Sequence, residues 1–139
     1  VIIGLPHETK EMVFETIDLI KKFQGYDGIG IAIFIPYHGT GLRKYAVEHK
    51  LLDSNWLSSD GYLLGGSALN MPKPYLQKDE IWDLSTKFKY YCFFSKDNWS
   101  LIENDLEKAE EIYNRDFYTK FASSGMENIL HRKKKHLGM

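Results

Sequence analysis

The stretch Gly28-Ile29-Gly30-Ile31-Ala32-Ile33-Phe34-Ile35-Pro36 decides the fold class. Its isoleucines at 29, 31, 33 and 35 share one strand face, and Gly28, Gly30, Ala32 and Phe34 share the other. Neither face is polar. A strand apolar on both sides belongs inside a parallel sheet covered by helices, or in a barrel wall. The small residues of the second face admit another backbone, a packed side chain or a ligand, and Pro36 ends the ladder.

Working outward, the chain opens on a second apolar strand, Val1-Ile2-Ile3, closed by Gly4-Leu5-Pro6. Between the two strands, Met12, Val13, Thr16, Ile17, Leu19, Ile20 and Phe23 fall on one helical face and predict a helix over 9–24. Thr9 serves as N-cap, Glu11 and Lys21-Lys22 complement the dipole, and Gly25 supplies the stop. Phe14 points away from the stripe, toward a neighbouring element. Strand, helix and strand make a right-handed parallel βαβ unit. The loop Tyr37-His38-Gly39-Thr40-Gly41 then leads into a short helix reaching about Leu52, with Leu42, Tyr45, Ala46 and His49 expected inward. Residues 1–52 therefore read as α/β.

Residues 53–77 lose this regularity but keep Trp56, Leu57, Tyr62, Leu63 and Leu64. A packed crossing segment is expected there, with a short strand near Tyr62 to Leu64. Helices are expected over 79–95, over 100–114 from a Ser100/Glu103 capping box, and over 127–136.

The 139 residues are the size of one domain, with 43% hydrophobic and 27% charged residues. Eighteen Lys and Arg stand against 19 Asp and Glu, so a generally polybasic nucleic-acid binder is excluded. The run His131-Arg132-Lys133-Lys134-Lys135-His136 reads as a solvated helix end. No run of eighteen apolar residues occurs, so no transmembrane helix is expected. The single cysteine, Cys92, excludes an internal disulfide and points to a reducing, cytoplasmic setting. A strand at the very start of the chain leads to the expectation that this is a piece of a longer protein.

Two strand-to-helix turns carry the functional signal. In Ile2-Ile3-Gly4-Leu5-Pro6-His7-Glu8-Thr9, Gly4 allows a flat ligand or another backbone to come close, and Ile2 or Ile3 offers an apolar wall. Ile35-Pro36-Tyr37-His38-Gly39-Thr40 lies at the carboxy end of the next parallel strand, where ligands of α/β proteins sit. His7 and His38 share this rim; with Glu8 and Asp27 they are the residues a metal hydrolase would use.

Together the two turns and the helix between them resemble the fifth and sixth βα units of the radical S-adenosylmethionine superfamily. The branch they most resemble has longer members that carry a cobalamin-binding domain. The resemblance covers residues 1–52; residues 60–113, with Leu69-Asn70-Met71-Pro72, resemble that branch's carboxy-terminal extension more loosely. It implies the last two βα units of a partial (β/α)6 barrel (1–52), followed by a mainly helical extension (53–139). It implies S-adenosylmethionine contacts from Ile2, Ile3, Gly4, Glu8, Ile35, Pro36 and Tyr37, with Glu8 holding the turn rather than moving protons. It also implies a [4Fe–4S] cluster, and leaves the use of cobalamin open.

The departure is the cluster loop. Three thiolates of a CxxxCxxC loop hold the cluster in that family, and Cys92 stands alone here. No catalytic and no metal-ligating residue is therefore assigned to this chain. Its expected partners are the rest of a parent polypeptide and an unknown small-molecule substrate, with self-association through an open strand edge. The alternative from a different class is a non-catalytic α/β binding or interaction module.

Overall fold

The computed structural model describes residues 1–23, 26, 28–59, 65–117 and 119. The chain forms two compact units, residues 1–92 and 93–139. The anticipated division after residue 52 falls inside the first unit, because the crossing segment and the helix after it share a core with the βα turns.

In the first unit, strand β1 (Ile2–Ile3) pairs in parallel with strand β2 (Ala32–Ile33), with Ile2 opposite Ala32 and Ile3 opposite Ile33. Bonds from Ala32 N–H to the Val1 carbonyl (2.9 Å) and from Phe34 N–H to the Ile3 carbonyl (2.8 Å) extend the ladder beyond these two-residue strands. The expected strand 28–35 is thus regular only at its centre. Helix α1 (Lys10–Lys22) links the strands and starts where expected, with the Thr9 hydroxyl accepting from Met12 N–H. Val13, Ile17 and Ile20 are its buried face. Gly25, the expected stop, lies outside the described residues, as do Asp27, the strand near Tyr62 to Leu64, the helix over 127–136 and the basic run 131–136.

Helix α2 (Gly41–Glu48) follows β2 with Thr40 as N-cap. It is shorter than the sequence suggests. Lys50 adopts a positive φ of 58°, and Leu51 N–H returns to the Ala46 carbonyl at 2.8 Å, the closing bond of a left-handed helix end. The inward face is corrected in part: Ala46 is buried as expected, but Leu42, Tyr45 and His49 are exposed and Arg43 is buried. Arg43 is only 6% exposed because backbone carbonyls receive its guanidinium. Its Nη1 donates to Pro36 (3.0 Å) and its Nη2 to Ser54 (3.3 Å) and Trp56 (2.6 Å). One buried cation therefore ties the end of β2 to the crossing segment.

That segment returns to the βα turns. Asn70 N–H donates to Leu51 and Leu76 N–H to Glu8, at 2.7 and 3.0 Å. Leu69, Met71 and Leu76 are buried along the way. Helix α3 (Lys78–Phe93) then buries Ile81, Leu84, Phe88, Tyr90, Tyr91 and Cys92. Phe14 meets Tyr91 edge-on at 5.0 Å, so its departure from the α1 stripe serves a helix–helix contact, as expected. Lys21 Nζ donates to the Tyr91 and Cys92 carbonyls near the end of α3.

In the second unit, a 3-10 turn (Lys96–Asn98) leads into helix α4 (Trp99–Asn104), and residues 106–117 are helical again. The single helix expected over 100–114 is broken at Asp105, whose backbone leaves the helical region (φ −150°, ψ 74°) and whose carboxylate accepts from Lys108 N–H at 3.1 Å. Asp105 caps the second piece, which outcompetes continuation of the first. Phe93 meets Tyr113 edge-on and Tyr113 stacks on Phe117, with centroids 5.0 and 5.2 Å apart.

Candidate functional site

The turn after β1 is held by its own glutamate. Glu8 Oε2 accepts from Gly4 N–H at 2.5 Å and from Leu5 N–H at 3.2 Å, and Glu8 N–H donates to the Leu5 carbonyl at 3.0 Å. One carboxylate oxygen satisfies two backbone donors that the turn directs away from the strand ladder. Burial raises the Glu8 carboxyl above its ordinary value, and the bonds from Gly4 and Leu5 N–H oppose that rise. The carboxylate is thus committed to the backbone.

Gly4 sits at φ +80°, a conformation costly for any other residue. A Cβ placed there meets Ile81 Cγ2 and Cδ1 at 3.2 and 3.3 Å. The close approach that the sequence anticipated at Gly4 is therefore made by helix α3. This settles what each residue offers on the strand side. Ile3 is 1% exposed, and Gly4 and Pro36 are also buried. Their part is to form and support the turns. Ile2, 55% exposed, and Tyr37, 51% exposed, present open apolar and aromatic surface. Ile35 is intermediate, and its carbonyl accepts from Tyr37 N–H at 2.9 Å. Ile2 pairs with exposed Ala32, so the outer face of the sheet is an apolar shelf without bulky side chains above Gly30, where an added Cβ meets nothing.

Comparison with protein-family models, curated proteins and solved structures finds no match for this chain.

Of the four residues of the metal reading, Asp27 lies outside the described residues. Among the described residues no group of three His, Cys, Asp or Glu side chains is placed to hold a metal ion. His38 is exposed on its loop, and Glu8 is bound to backbone N–H groups. His7 joins a different set, which sequence reasoning missed. Its Nδ1 lies 2.7 Å from the Tyr45 hydroxyl, and its ring packs edge-on against Tyr45 and His49 and obliquely against Tyr75. Tyr45 stacks on His49 with centroids 3.8 Å apart, and His49 Nδ1 donates to the Tyr45 carbonyl at 2.8 Å. His7 itself is at φ 62°, with its N–H directed to Met71 Sδ at 3.2 Å. The i, i+4 spacing of Tyr45 and His49 on α2 was the available signal, although both were expected to face the core.

Cys92 is buried, and burial pushes its thiol up to about 11 despite nearby Lys21. It is a packing residue. No helix among the described residues is long and apolar enough to cross a membrane.

Proposed function

We propose that the two strand-to-helix turns form the adenine-side wall of an S-adenosylmethionine site in a radical S-adenosylmethionine barrel, with the residues after 52 as a covering extension. The observation that carries this reading is the Glu8 lock on the Gly4-Leu5 turn. It fixes the turn that leaves β1, while the ladder pairs β1 with β2, and Ile2 on β1 and Tyr37 after β2 are both exposed.

The residues fit an adenosyl group in part. Ile2, Ile35 and Tyr37 would hold it by apolar and aromatic contact, while Ile3, Gly4, Glu8 and Pro36 keep the two turns in place. S-adenosylmethionine, reductively cleaved, supplies a 5′-deoxyadenosyl radical to enzymes of that superfamily. The [4Fe–4S] cluster does not fit: the chain has one cysteine, and it is buried with a raised thiol. In this reading the cluster, and cobalamin where it is used, belong to the rest of a longer polypeptide, and this chain contributes no catalytic residue.

One observation favours the non-catalytic binding module instead. Ile81 already fills the approach to Gly4, as expected of a turn packed for its own stability. Titration with 5′-deoxyadenosine and with S-adenosylmethionine separates the two. The radical-enzyme reading expects weak binding of both, lost in Ile2→Asp and in Tyr37→Ala. Binding that survives both substitutions, or none at millimolar ligand, would remove it. Iron and sulfide reconstitution of the purified chain should yield no cluster absorbance.

A further inference from the structure

From the cleft beside His7 we infer a second site, which takes a small amphiphilic oxyanion: an organic phosphate or carboxylate with an apolar body. The cleft has a volume of about 810 Å³ and lies between the first turn, the end of α2, the segment at 69–72 and the start of α3. None of the seven residues given to the adenosyl group lines it, so the inference stands apart from that reading.

Three observations converge there. The first is charge. Lys50 and Lys78 both line the cleft, and neither ammonium has an acidic partner among the described residues. Asp79 is the opposing carboxylate in the lining, leaving one net positive charge before the histidines are counted.

The second is the imidazole pair. Tyr45 holds both rings: its hydroxyl contacts His7 Nδ1 and its carbonyl receives His49 Nδ1–H. Among the described residues neither Nε2 has a protein partner, and the rings pack against one another. With Nδ1–H given to a carbonyl, the neutral His49 ring carries an acceptor at Nε2, so His7 is the donor of the pair. A tyrosine hydroxyl donating to Nδ1 leaves the proton of the neutral His7 ring on Nε2, a donor suited to an oxyanion. Leu51, Leu69 and Met71 supply an apolar floor for the ligand body.

The third is backbone conformation. His7 and Lys50 are the two non-glycine residues with positive φ among those described, and both line this cleft. At Lys50 the left-handed helix end would be served better by glycine. A lysine there gives up stability and puts a charge at the cleft, a conflict expected of a functional position.

This arrangement gives a test that folding cannot confuse. Lys50→Gly relieves the backbone, so its thermal midpoint should stay level or rise. Its affinity for phenyl phosphate should fall about fivefold or more at low salt. Asp79→Asn should raise affinity severalfold, and Lys44→Gln, outside the cleft, should leave it unchanged. By calorimetry on the full chain, phenyl phosphate should bind about tenfold tighter than inorganic phosphate because of the apolar floor. Benzoate forms the second arm: whichever of the two aromatic anions binds tighter identifies the oxyanion. Ring nitrogen signals of His7 and His49 should shift on binding. An absence of both shifts and heat with either aromatic anion would overturn the site, as would Lys50→Gly binding as tightly as the parent chain. Because the two sites share no residue, Ile2 shifts with S-adenosylmethionine bear on the adenosyl reading alone.

Discussion

Replacing Glu8 tests whether the first turn is built around its carboxylate. In Glu8→Ala the N–H groups of Gly4 and Leu5 lose their acceptor. Gly4 is buried and cannot rehydrate, whereas Leu5 is half-buried and recovers part of its loss to water. An orphaned buried N–H costs about 1–3 kcal/mol, and a bond to an ionised acceptor contributes more than a neutral one, so the loss is about 2–3 kcal/mol. With a urea dependence of about 1.5 kcal/mol/M for a chain of this size, the denaturation midpoint should fall by about 1.3–2 M. Glu8→Gln behaves differently, because both bonds go to one oxygen and the amide oxygen can accept both. Its stability should lie within about 1 kcal/mol of the parent.

The pH dependence has a fixed sign. The folded Glu8 value is raised, so the folded chain holds the proton more tightly than the unfolded one. The extra stability from this tighter proton binding is complete below 4.5 and is lost as pH rises through the folded value, a slope that Glu8→Gln should remove. A Glu8→Ala chain within about 0.5 kcal/mol of the parent, or a Glu8→Gln chain as weak as Glu8→Ala, would refute the lock.

Other expectations follow from packing. Gly4→Ala suffers twice, from φ +80° and from the Ile81 contact, and should cost about 2–4 kcal/mol. Adding Ile81→Ala should recover only the steric part, read as a double-mutant coupling in urea. Arg43→Lys keeps the charge but cannot reach three carbonyls, so it should lose about 2–3 kcal/mol and expose 53–57 to limited proteolysis. Cys92, with its thiol pushed up to about 11, should resist a disulfide reagent at pH 8 until the chain is unfolded. Rapid labelling of the native chain would contradict its burial.

The βα unit was legible in the sequence because apolar periodicity and capping residues act locally. Thr9, the Val13–Ile17–Ile20 face and the parallel strand pair all follow from spacing. What escaped was decided by distant partners. Arg43 reads as a solvated helix cation until three carbonyls from Pro36, Ser54 and Trp56 are brought around it. Ile81 is seventy-seven positions from Gly4, so nothing local shows that it fills the space above the glycine. The break at Asp105 was missed because Ser100 and Glu103 form a good capping pattern, yet Asp105 caps the following residues better. For the site, the turn-holding role of Glu8 was implied by the family resemblance and not by spacing or position. The His7–Tyr45–His49 cluster needed the tertiary approach of α2 to that turn.

The central claim is that Ile2 and Tyr37 contact one adenosyl group. Methyl NMR of the isoleucines during titration with S-adenosylmethionine tests it most directly. The account predicts that the Ile2 signals move saturably and the Ile3 signals hardly at all, with the response lost in Tyr37→Ala. Static Ile2 signals at millimolar ligand, or an unaltered response in Tyr37→Ala, would contradict it.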